Sequence, residues 1–326
     1  MACFRPLTAG RYPVETHGRT KLRFGASIEA GMQILRVPCG QCIGCRLDHS
    51  LRWATRCMHE SKKYDSNSFI TLTYSDEHLP SDMSLSLRDF QLFTKRLRKS
   101  LEPEKVKIFH CGEYSPPRSR LIPPGHVHPD TVPDGLRPHY HAIIFGHEFP
   151  DKELWSVRDD ISIYTSQHLT DCWGKGHCTV GNLTFESAAY VARYTVKKLN
   201  GKAEQTPDPR TGLLPYERVC PVTGNITMVA KEYATMSNGI GKDHYIKYRS
   251  DMYPRDTVVI NGHETRPPRY YDNLYELEEP ATMAAIREKR CEEMAVHKAD
   301  NTPERLRQRE KVKLAQLKML KREEIK

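Results

Sequence analysis

Two histidines flank a tyrosine in the stretch RPHYHAIIFG, at His139 and His141. Side chains alternate between the two faces of a strand, so both imidazoles are expected on one face, about 7 Å apart along it. The preceding segment, HCGEY, offers Glu113 as a carboxylate ligand and His110 as another candidate. Two imidazoles and one carboxylate with open positions suit Mn²⁺ or Mg²⁺ acting as a Lewis acid. The alternative for Glu113 is an exposed residue at a strand end.

The stretch AAYVARYTVKK places Tyr190 and Tyr194 one helical turn apart among basic residues. If residues 185–199 form a helix, their apolar side chains make one stripe and both phenols fall roughly opposite it. A free phenol has a pKa of about 10, so Arg193, Lys197 and a nearby metal would be needed to favour the phenolate. Attack of a phenolate on a phosphodiester would give a phosphotyrosyl link that conserves the bond for rejoining. The alternative is that the tyrosines fill the core.

Three cysteines follow one another at two-residue intervals in CGQCIGC: Cys39, Cys42 and Cys45. This spacing is common in structural zinc sites. We expect Cys3 to be the fourth ligand, because a bound Zn²⁺ would then fix the basic N-terminal segment. The alternative fourth ligands are His49 and Cys57. Buried reduced thiols are the alternative to metal binding.

The motif HYH resembles the His-hydrophobic-His metal motif of HUH endonucleases, and YVARYTVKK resembles the two-tyrosine helix of microvirus initiators. The larger resemblance is to gokushovirus-type microvirus rolling-circle replication initiators, and it spans residues 37 to about 275. The matching stretches keep their order and spacing: VPCGQCIGCR, FITLTYSDEHLP, FHCGEY, RPHYHAIIFG, TFESAAYVARYTVKK and YPRDTVVINGHETRPPRYYDNL. The Pro-rich segment 115–138 departs from it, because this segment is longer than expected between the two strands.

This resemblance implies a metal-dependent, site-specific nickase that also joins strands. It implies that His139, His141 and Glu113 hold the divalent metal beside the scissile phosphate of a single-stranded origin. Either Tyr190 or Tyr194 would attack, which gives a 5′-phosphotyrosine and a free 3′-hydroxyl that primes synthesis. The other tyrosine would cleave the regenerated origin after one round, and the displaced strand would be circularised.

The same resemblance assigns roles to basic residues and to partners. Lys197 would assist the attack or hold the phosphate, and Arg193 and Lys198 would contact DNA. The expected partners are single-stranded DNA and the origin of the viral replicative form, with a host helicase and polymerase, in the cytoplasm of a bacterial host. No G-x-x-x-x-G-K-[ST] loop occurs, so we expect no nucleotide cofactor and no ATP hydrolysis.

The elements that must position these residues read as strands and helices in the order β-α-β-β-(α)-β-α. We expect strands over residues 68–74, 105–114, 139–146 and 177–184, and helices over 46–62, 86–101, 151–171 and 185–199. Residues 1–38 look irregular, and Asn261-Gly262 indicates a hairpin. The expected fold class is α+β, an HUH-type nuclease domain in which helices pack on a central antiparallel sheet.

We divide the chain into an N-terminal Cys-rich segment with a helix (1–60), an HUH endonuclease domain (61–200), a C-terminal α/β extension packed on it (201–280), and a basic tail that is helical or partly disordered (281–326). Of 326 residues, 38% are hydrophobic, and the net charge is +9. Residues 1–60 and 301–326 each hold nine Lys or Arg against four Asp or Glu. Basic ends indicate a polyanion partner, most often nucleic acid; solubility alone is the other explanation.

Other features limit the choice of function. No apolar run approaches 18 residues and the first residues lack an apolar signal segment, so we expect neither a membrane span nor secretion. Ten cysteines in such a chain are expected to be thiols or metal ligands rather than a disulfide framework. A second group with poorer metal-ligand spacing comprises Cys172, His177 and Cys178. Two other functions remain: a relaxase- or transposase-like HUH enzyme, and a non-catalytic zinc-containing module that binds single strands.

Overall fold

The computed structural model describes residues 3–12, 21–115, 137–158, 161–194, 204–209, 212–219 and 225–319. Its helices are α1 (Ile43–Ser61), α2 (Leu87–Ser100), α3 (Gln167–Trp173), α4 (Phe185–Tyr194), α5 (Lys242–Met252), α6 (Arg269–Glu278), α7 (Pro280–Ala295) and α8 (Pro303–Met319). Its strands are β1 (Leu7–Arg11), β2 (Arg23–Phe24), β3 (Gln33–Val37), β4 (Asn67–Thr73), β5 (Lys107–Tyr114), β6 (Pro138–Phe145), β7 (Glu153–Arg158), β8 (Ile161–Thr165), β9 (Cys178–Asn182), β10 (Glu217–Val219), β11 (Ile226–Met228), β12 (Tyr233–Met236), β13 (Val258–Ile260) and β14 (His263–Thr265).

The largest sheet has seven strands in the order β12-β5-β6-β4-β9-β8-β7. Every pairing in it is antiparallel. Strands and helices are mixed along the chain, so the fold class is α+β, as predicted. The expected pairing of the strand that carries Glu113 with the strand that carries both histidines is also confirmed, because β5 and β6 are neighbours.

Helices cover both faces of this sheet. On one face, α2 and α3 pack on Leu72, Tyr140 and Ile144, and all three side chains are fully buried. On the other face, α4 and the second half of α1 pack on Ile143 and Phe145. Strand residues with opposite parity therefore enter different cores, and this parity decides which polar side chains can meet.

Local sequence explains helix α2. The Ser86 side chain accepts a hydrogen bond from the backbone N–H of Asp89, so the predicted N-terminal cap is present. Phe90, Phe93 and Leu97 recur at helical spacing and are buried against the sheet. The same spacing leaves the basic residues of α2 exposed.

Two sequence-based assignments are wrong. Residues 151–171 are not one helix: β7 and β8 form a hairpin, and α3 begins only after Ser166 caps it. The run Glu153–Arg158 is rich in β-favouring side chains, and tertiary pairing decides in their favour. Residues 1–38 are not irregular throughout, because β1, β2 and β3 form a three-stranded antiparallel sheet.

Other assignments at the C-terminal side are confirmed. The Asn261-Gly262 turn joins β13 to β14, and Asn261 takes the positive φ of 49° that such a turn requires. Segment 281–319 is largely helical, as α7 and α8. The Pro-rich segment 116–136 lies outside the described residues. None of the described helices is long and apolar enough to cross a membrane.

The chain divides into two compact units. One unit is Ser50–Tyr271 and contains the seven-stranded sheet. The other unit combines Met1–His49 with Asp272–Lys326, which the sequence-based division placed in separate regions.

Candidate metal and nucleophile site

Three neighbouring strands bring the candidate ligands together. Glu113 in β5 lies directly opposite His139 in β6, two residues from the pair that Cys111 forms with His141. On the other side of β6, Thr71 in β4 lies opposite His141. Antiparallel partners share a face of the sheet, so the carboxylate and both imidazoles project from the same face. This is the face that α4 covers.

Both imidazoles contact one oxygen of the carboxylate. His139 Nε2 lies 2.9 Å and His141 Nε2 lies 2.8 Å from Glu113 Oε1. Glu113 and His141 are each only 3% exposed. Burial alone would raise the pKa of Glu113, but hydrogen bonds from His139 and His141 outweigh it and hold that pKa well below its usual value. The carboxylate is therefore ionised.

Each imidazole is oriented through its second nitrogen. His139 Nδ1 lies 3.2 Å from the carbonyl oxygen of Arg137, and His141 Nδ1 lies 2.9 Å from Thr71 Oγ1. Such contacts fix the ring so that Nε2 faces the ligand position. Sequence reasoning missed Thr71; the signal was present, because Thr71 has the parity in β4 that faces His141.

The donor set fits a divalent metal ion. A carbonyl oxygen only accepts, so Nδ1 of His139 carries a hydrogen and, in the neutral ring, Nε2 presents a lone pair to the Glu113 carboxylate. Two electron-rich atoms so close together require a cation, either a proton or a metal ion. The ligand atoms of Glu113, His139 and His141 all lie within 4.8 Å of one another. Neighbouring ligands of an octahedral ion bound at about 2.1 Å lie about 3 Å apart, close to the observed separations.

Tyr190 joins this cluster from α4. Its hydroxyl donates to Glu113 Oε1 over 3.1 Å, and its ring meets His141 edge-on at a centroid distance of 5.0 Å. The phenol was expected to lie opposite the apolar stripe, and this is wrong in detail. Ala188, Val191 and Ala192 are fully buried, which rotates the packed face, so that Tyr190 is half-buried at its edge.

Several predicted residues lie beyond this description. The backbone of α4 is described as far as Tyr194, but the side chains of Arg193 and Tyr194 lie outside the described residues. Lys197 and Lys198 lie outside them altogether. The structure therefore brings Tyr190 alone, of the two tyrosines, into a described contact.

His110 does not join the cluster. It has the opposite parity to Glu113 in β5, and its ring stacks on Phe90 of α2 at a centroid distance of 3.5 Å. Burial lowers the pKa of His110 to about 3, so the ring is neutral. As a candidate ligand it is therefore wrong, and the alternation of side chains along the strand is the reason.

The second cluster contains the four predicted cysteines. The sulfurs of Cys3, Cys39, Cys42 and Cys45 all lie within 4.8 Å of one another. Adjacent sulfurs around a tetrahedral zinc with bonds of about 2.3 Å lie about 3.8 Å apart. Sγ of Cys42 lies 3.9 Å from Sγ of Cys3, so the spacing fits.

Backbone N–H groups point at these sulfurs, as a thiolate site requires. Phe4 N–H donates to Cys42 Sγ, and Cys39 N–H donates to Cys3 Sγ, each over 3.3 Å. Burial would raise the pKa of Cys42, but backbone hydrogen bonds from Cys45 and Phe4 outweigh it and lower that pKa. Phe4 and Leu306 of α8 close the cluster on its apolar side.

The alternative ligands lie elsewhere. Neither His49 nor Cys57 belongs to the cysteine cluster, and Cys57 is fully buried beside Ala54 in the sheet core. Cys172 and Cys178 are buried in the core on the α2 face, and with His177 they form no metal-binding group among the described residues. The nine described cysteines are all free thiols.

Comparisons with known proteins agree with this arrangement. The sequence model of a family of replication-associated proteins, described by the name ORF2, matches residues 132–199, which include both histidines and both tyrosines. No solved structure matches the chain.

Three replication-associated phage proteins are similar over most of the chain. Protein VP4 of Bdellovibrio phage phiMH2K is 32% identical over 282 residues, 86% of this chain and 79% of that protein. Protein ORF2 of Spiroplasma virus 4 is 31% identical over 74% of this chain and 68% of that protein. Protein ORF4 of Chlamydia phage 1 is 26% identical over 73% of this chain and 53% of that protein. The chain therefore belongs to the family of replication-associated proteins of microvirus-like phages.

Proposed function

We propose that this protein is the replication initiator of a circular single-stranded DNA phage and an HUH-type endonuclease that nicks and joins the origin. One observation carries the proposal: the Tyr190 hydroxyl and both imidazole nitrogens of the cluster converge on one oxygen of Glu113. A nucleophile thus lies beside a divalent-metal donor set in a chain whose relatives are replication-associated proteins.

In this proposal Glu113, His139 and His141 hold Mg²⁺ or Mn²⁺. When bound, the ion polarises the scissile phosphate and neutralises charge that develops on it. Tyr190 forms a bond from its oxygen to the phosphorus while the bond to the 3′ oxygen breaks. The phenol proton leaves to solvent, and the 3′ oxygen takes up a proton as the free hydroxyl. The products are a 5′-phosphotyrosine and a 3′ end that primes synthesis.

Rejoining needs a second nucleophile, and we assign it to Tyr194. Residues four apart on a helix are neighbours, so one monomer can alternate between the two phenols. Lys197 is proposed to assist the attack or hold the phosphate, and Arg193 and Lys198 are proposed to contact DNA. The protein acts in the cytoplasm of its bacterial host, where a host helicase unwinds and a host polymerase extends the 3′ end.

The test uses single-stranded oligonucleotides that tile both strands of the genome encoding the chain. The wild-type protein with Mn²⁺ is expected to give a covalent protein–DNA band with one of them, and EDTA is expected to abolish it. Tyr190→Phe and Tyr194→Phe singly should still nick but fail in strand transfer. The double variant should give no band, whereas Tyr164→Phe in β8 is the matched control and should behave as wild type.

Other outcomes identify other functions. A double variant that nicks at the wild-type rate would exclude both tyrosines as nucleophiles. Salt-sensitive binding with no covalent band under any metal would identify a non-catalytic single-strand-binding module. A relaxase- or transposase-like enzyme would transfer strands without needing both tyrosines.

We propose in addition that Cys3, Cys39, Cys42 and Cys45 bind a structural Zn²⁺. Four sulfurs with tetrahedral spacing and converging N–H groups support it. Native mass spectrometry of the purified protein is expected to show one zinc that Cys42→Ser removes. A wild-type mass without that zinc would leave four reduced thiols as the correct description.

A further inference from the structure

A groove runs along α2 on the face of the sheet opposite the metal cluster. It lies between α2 and the edge strand β12, with β5 as its floor, and its volume is about 790 Å³. This volume lies within the range of sites that enclose a ligand. We call this feature the α2 groove.

One wall of the α2 groove is cationic. Lys95, Arg98 and Lys99 line it from successive positions of one helical turn, and Glu102 is the one carboxylate among its lining residues. All three cations are exposed. Within the described part of the chain, none of the three forms an ion pair, so their charge is available to a ligand. Three cations against one carboxylate favour an anionic ligand.

The floor of the α2 groove holds a buried polar atom that lacks a partner. His110 is 5% exposed, and its Nε2 makes no hydrogen bond to any residue that the structure describes. Its Nδ1 lies 2.9 Å from Thr235 Oγ1. When Thr235 donates this bond, the neutral ring carries its hydrogen on Nε2, which becomes a donor at the floor of the groove. Leaving a buried donor unpaired costs roughly 1–3 kcal/mol, so a ligand acceptor there would stabilise the ring.

We propose that the α2 groove binds the phosphodiester backbone of single-stranded DNA, as a second site on the face opposite the metal cluster. Phosphate oxygens supply both the charge that Lys95, Arg98 and Lys99 match and the acceptor that His110 lacks. The apolar floor at Ile108 and Met236 suits bases, which an acidic peptide would not provide. The choice of DNA rests on the proposed function, and the groove would hold a strand that extends beyond the catalytic site.

The test compares equilibrium binding of a 30-nucleotide oligo-dT to the full chain over a range of salt concentrations. The triple variant Lys95→Ala/Arg98→Ala/Lys99→Ala should bind at least tenfold more weakly at low salt. Its salt slope should fall by about 2, because each phosphate contact to a single strand contributes about 0.7. The charge-matched control removes three exposed lysines of the same unit: Lys62, Lys242 and Lys247. That control should leave the slope within one contact of wild type.

A second pair of variants isolates the buried donor. His110→Phe should weaken oligo-dT binding several-fold without changing the salt slope, and His110→Gln, which keeps a donor, should recover part of the loss. Unchanged affinity and slope in the triple variant would overturn the inference. So would a triple variant that binds DNA normally and loses only a poly-glutamate peptide, because the groove would then be a protein-docking site.

The nicking assay keeps this inference distinct from the proposed function. At saturating DNA, the triple variant should form the covalent band at the wild-type rate, since none of its three residues belongs to the metal cluster. A wild-type protein that binds oligo-dT but never nicks would refute the endonuclease and leave the groove to be judged by binding alone.

Discussion

The two clusters of metal-ligating side chains differ in ligand type and in what lies beside them. The Glu113 cluster offers two nitrogens and one carboxylate from adjacent strands, and a phenol lies next to it. The cysteine cluster offers four sulfurs, and its remaining neighbours are backbone N–H groups and apolar side chains. Three donors leave coordination positions open for a substrate, whereas four sulfurs complete a tetrahedron. The first arrangement suits catalysis, and the second suits folding.

The largest expected effect is on the cysteine cluster. Cys42→Ser should remove one equivalent of zinc and unfold the segment around it, because zinc binding in small structural sites contributes about 10–16 kcal/mol of apparent free energy at neutral pH. Limited proteolysis should cut within residues 3–49 of the variant and spare the wild type. Cys291→Ser, an exposed free thiol in α7, is the matched control. Equal protease resistance of both variants would contradict a structural metal.

The next effect is on chemistry at the Glu113 cluster. Glu113→Gln keeps the shape but removes the charge that both imidazoles contact, so metal loading should fail and nicking should drop by about 10³-fold or more, roughly 4 kcal/mol. The rate of covalent-band formation at saturating Mn²⁺ measures it. Glu186→Gln, an exposed carboxylate in the first turn of α4, should nick as wild type. A Glu113→Gln variant with wild-type activity would mean that the two histidines bind the metal without it.

These two clusters also show what sequence can predict. Three cysteines at two-residue spacing and two histidines on alternate strand positions identify ligands from local pattern alone. Choosing Glu113 over His110 needed the strand parity, which the sequence contains but which a list of candidate ligands ignores. Cys3 could be proposed but not located, because only the fold brings residue 3 to residue 42. The β7–β8 hairpin was missed for a similar reason, since pairing between strands decided it.

A third expected effect concerns His110, an imidazole that no metal cluster holds. Burial lowers its pKa to about 3, whereas an unfolded chain has a histidine pKa of about 6.5. Between these values the unfolded chain binds one more proton, so this contribution lowers the free energy of unfolding as pH falls below about 6.5, and the loss levels off near pH 3. At pH 5 the loss is about 2 kcal/mol.

Urea denaturation at pH 7 and pH 5 measures this contribution. The drop between the two pH values should be about 2 kcal/mol smaller in His110→Gln than in wild type. The double difference removes any change in packing caused by the substitution, and it removes the contribution of histidines at the Glu113 cluster. An identical drop in both proteins would show that His110 takes up its proton in the folded state, and its neutrality in the α2 groove would then be lost as an argument.

The smallest effect is expected from Thr71, which touches the Glu113 cluster only through His141. Its hydroxyl lies 2.9 Å from His141 Nδ1, so Thr71→Val, nearly the same in shape, leaves that nitrogen without its partner and frees the ring to turn. Loss of such an outer partner typically weakens metal binding about tenfold. The dissociation constant for Mn²⁺, measured by electron paramagnetic resonance, should rise by about that factor, and Thr71→Ser should restore it. Nicking at saturating Mn²⁺ should then change little, since Thr71 does not touch the phosphate in the proposed reaction. A large fall in the saturated rate with an unchanged dissociation constant would place Thr71 in the chemistry itself, and the cluster would then depend on four strand residues rather than three.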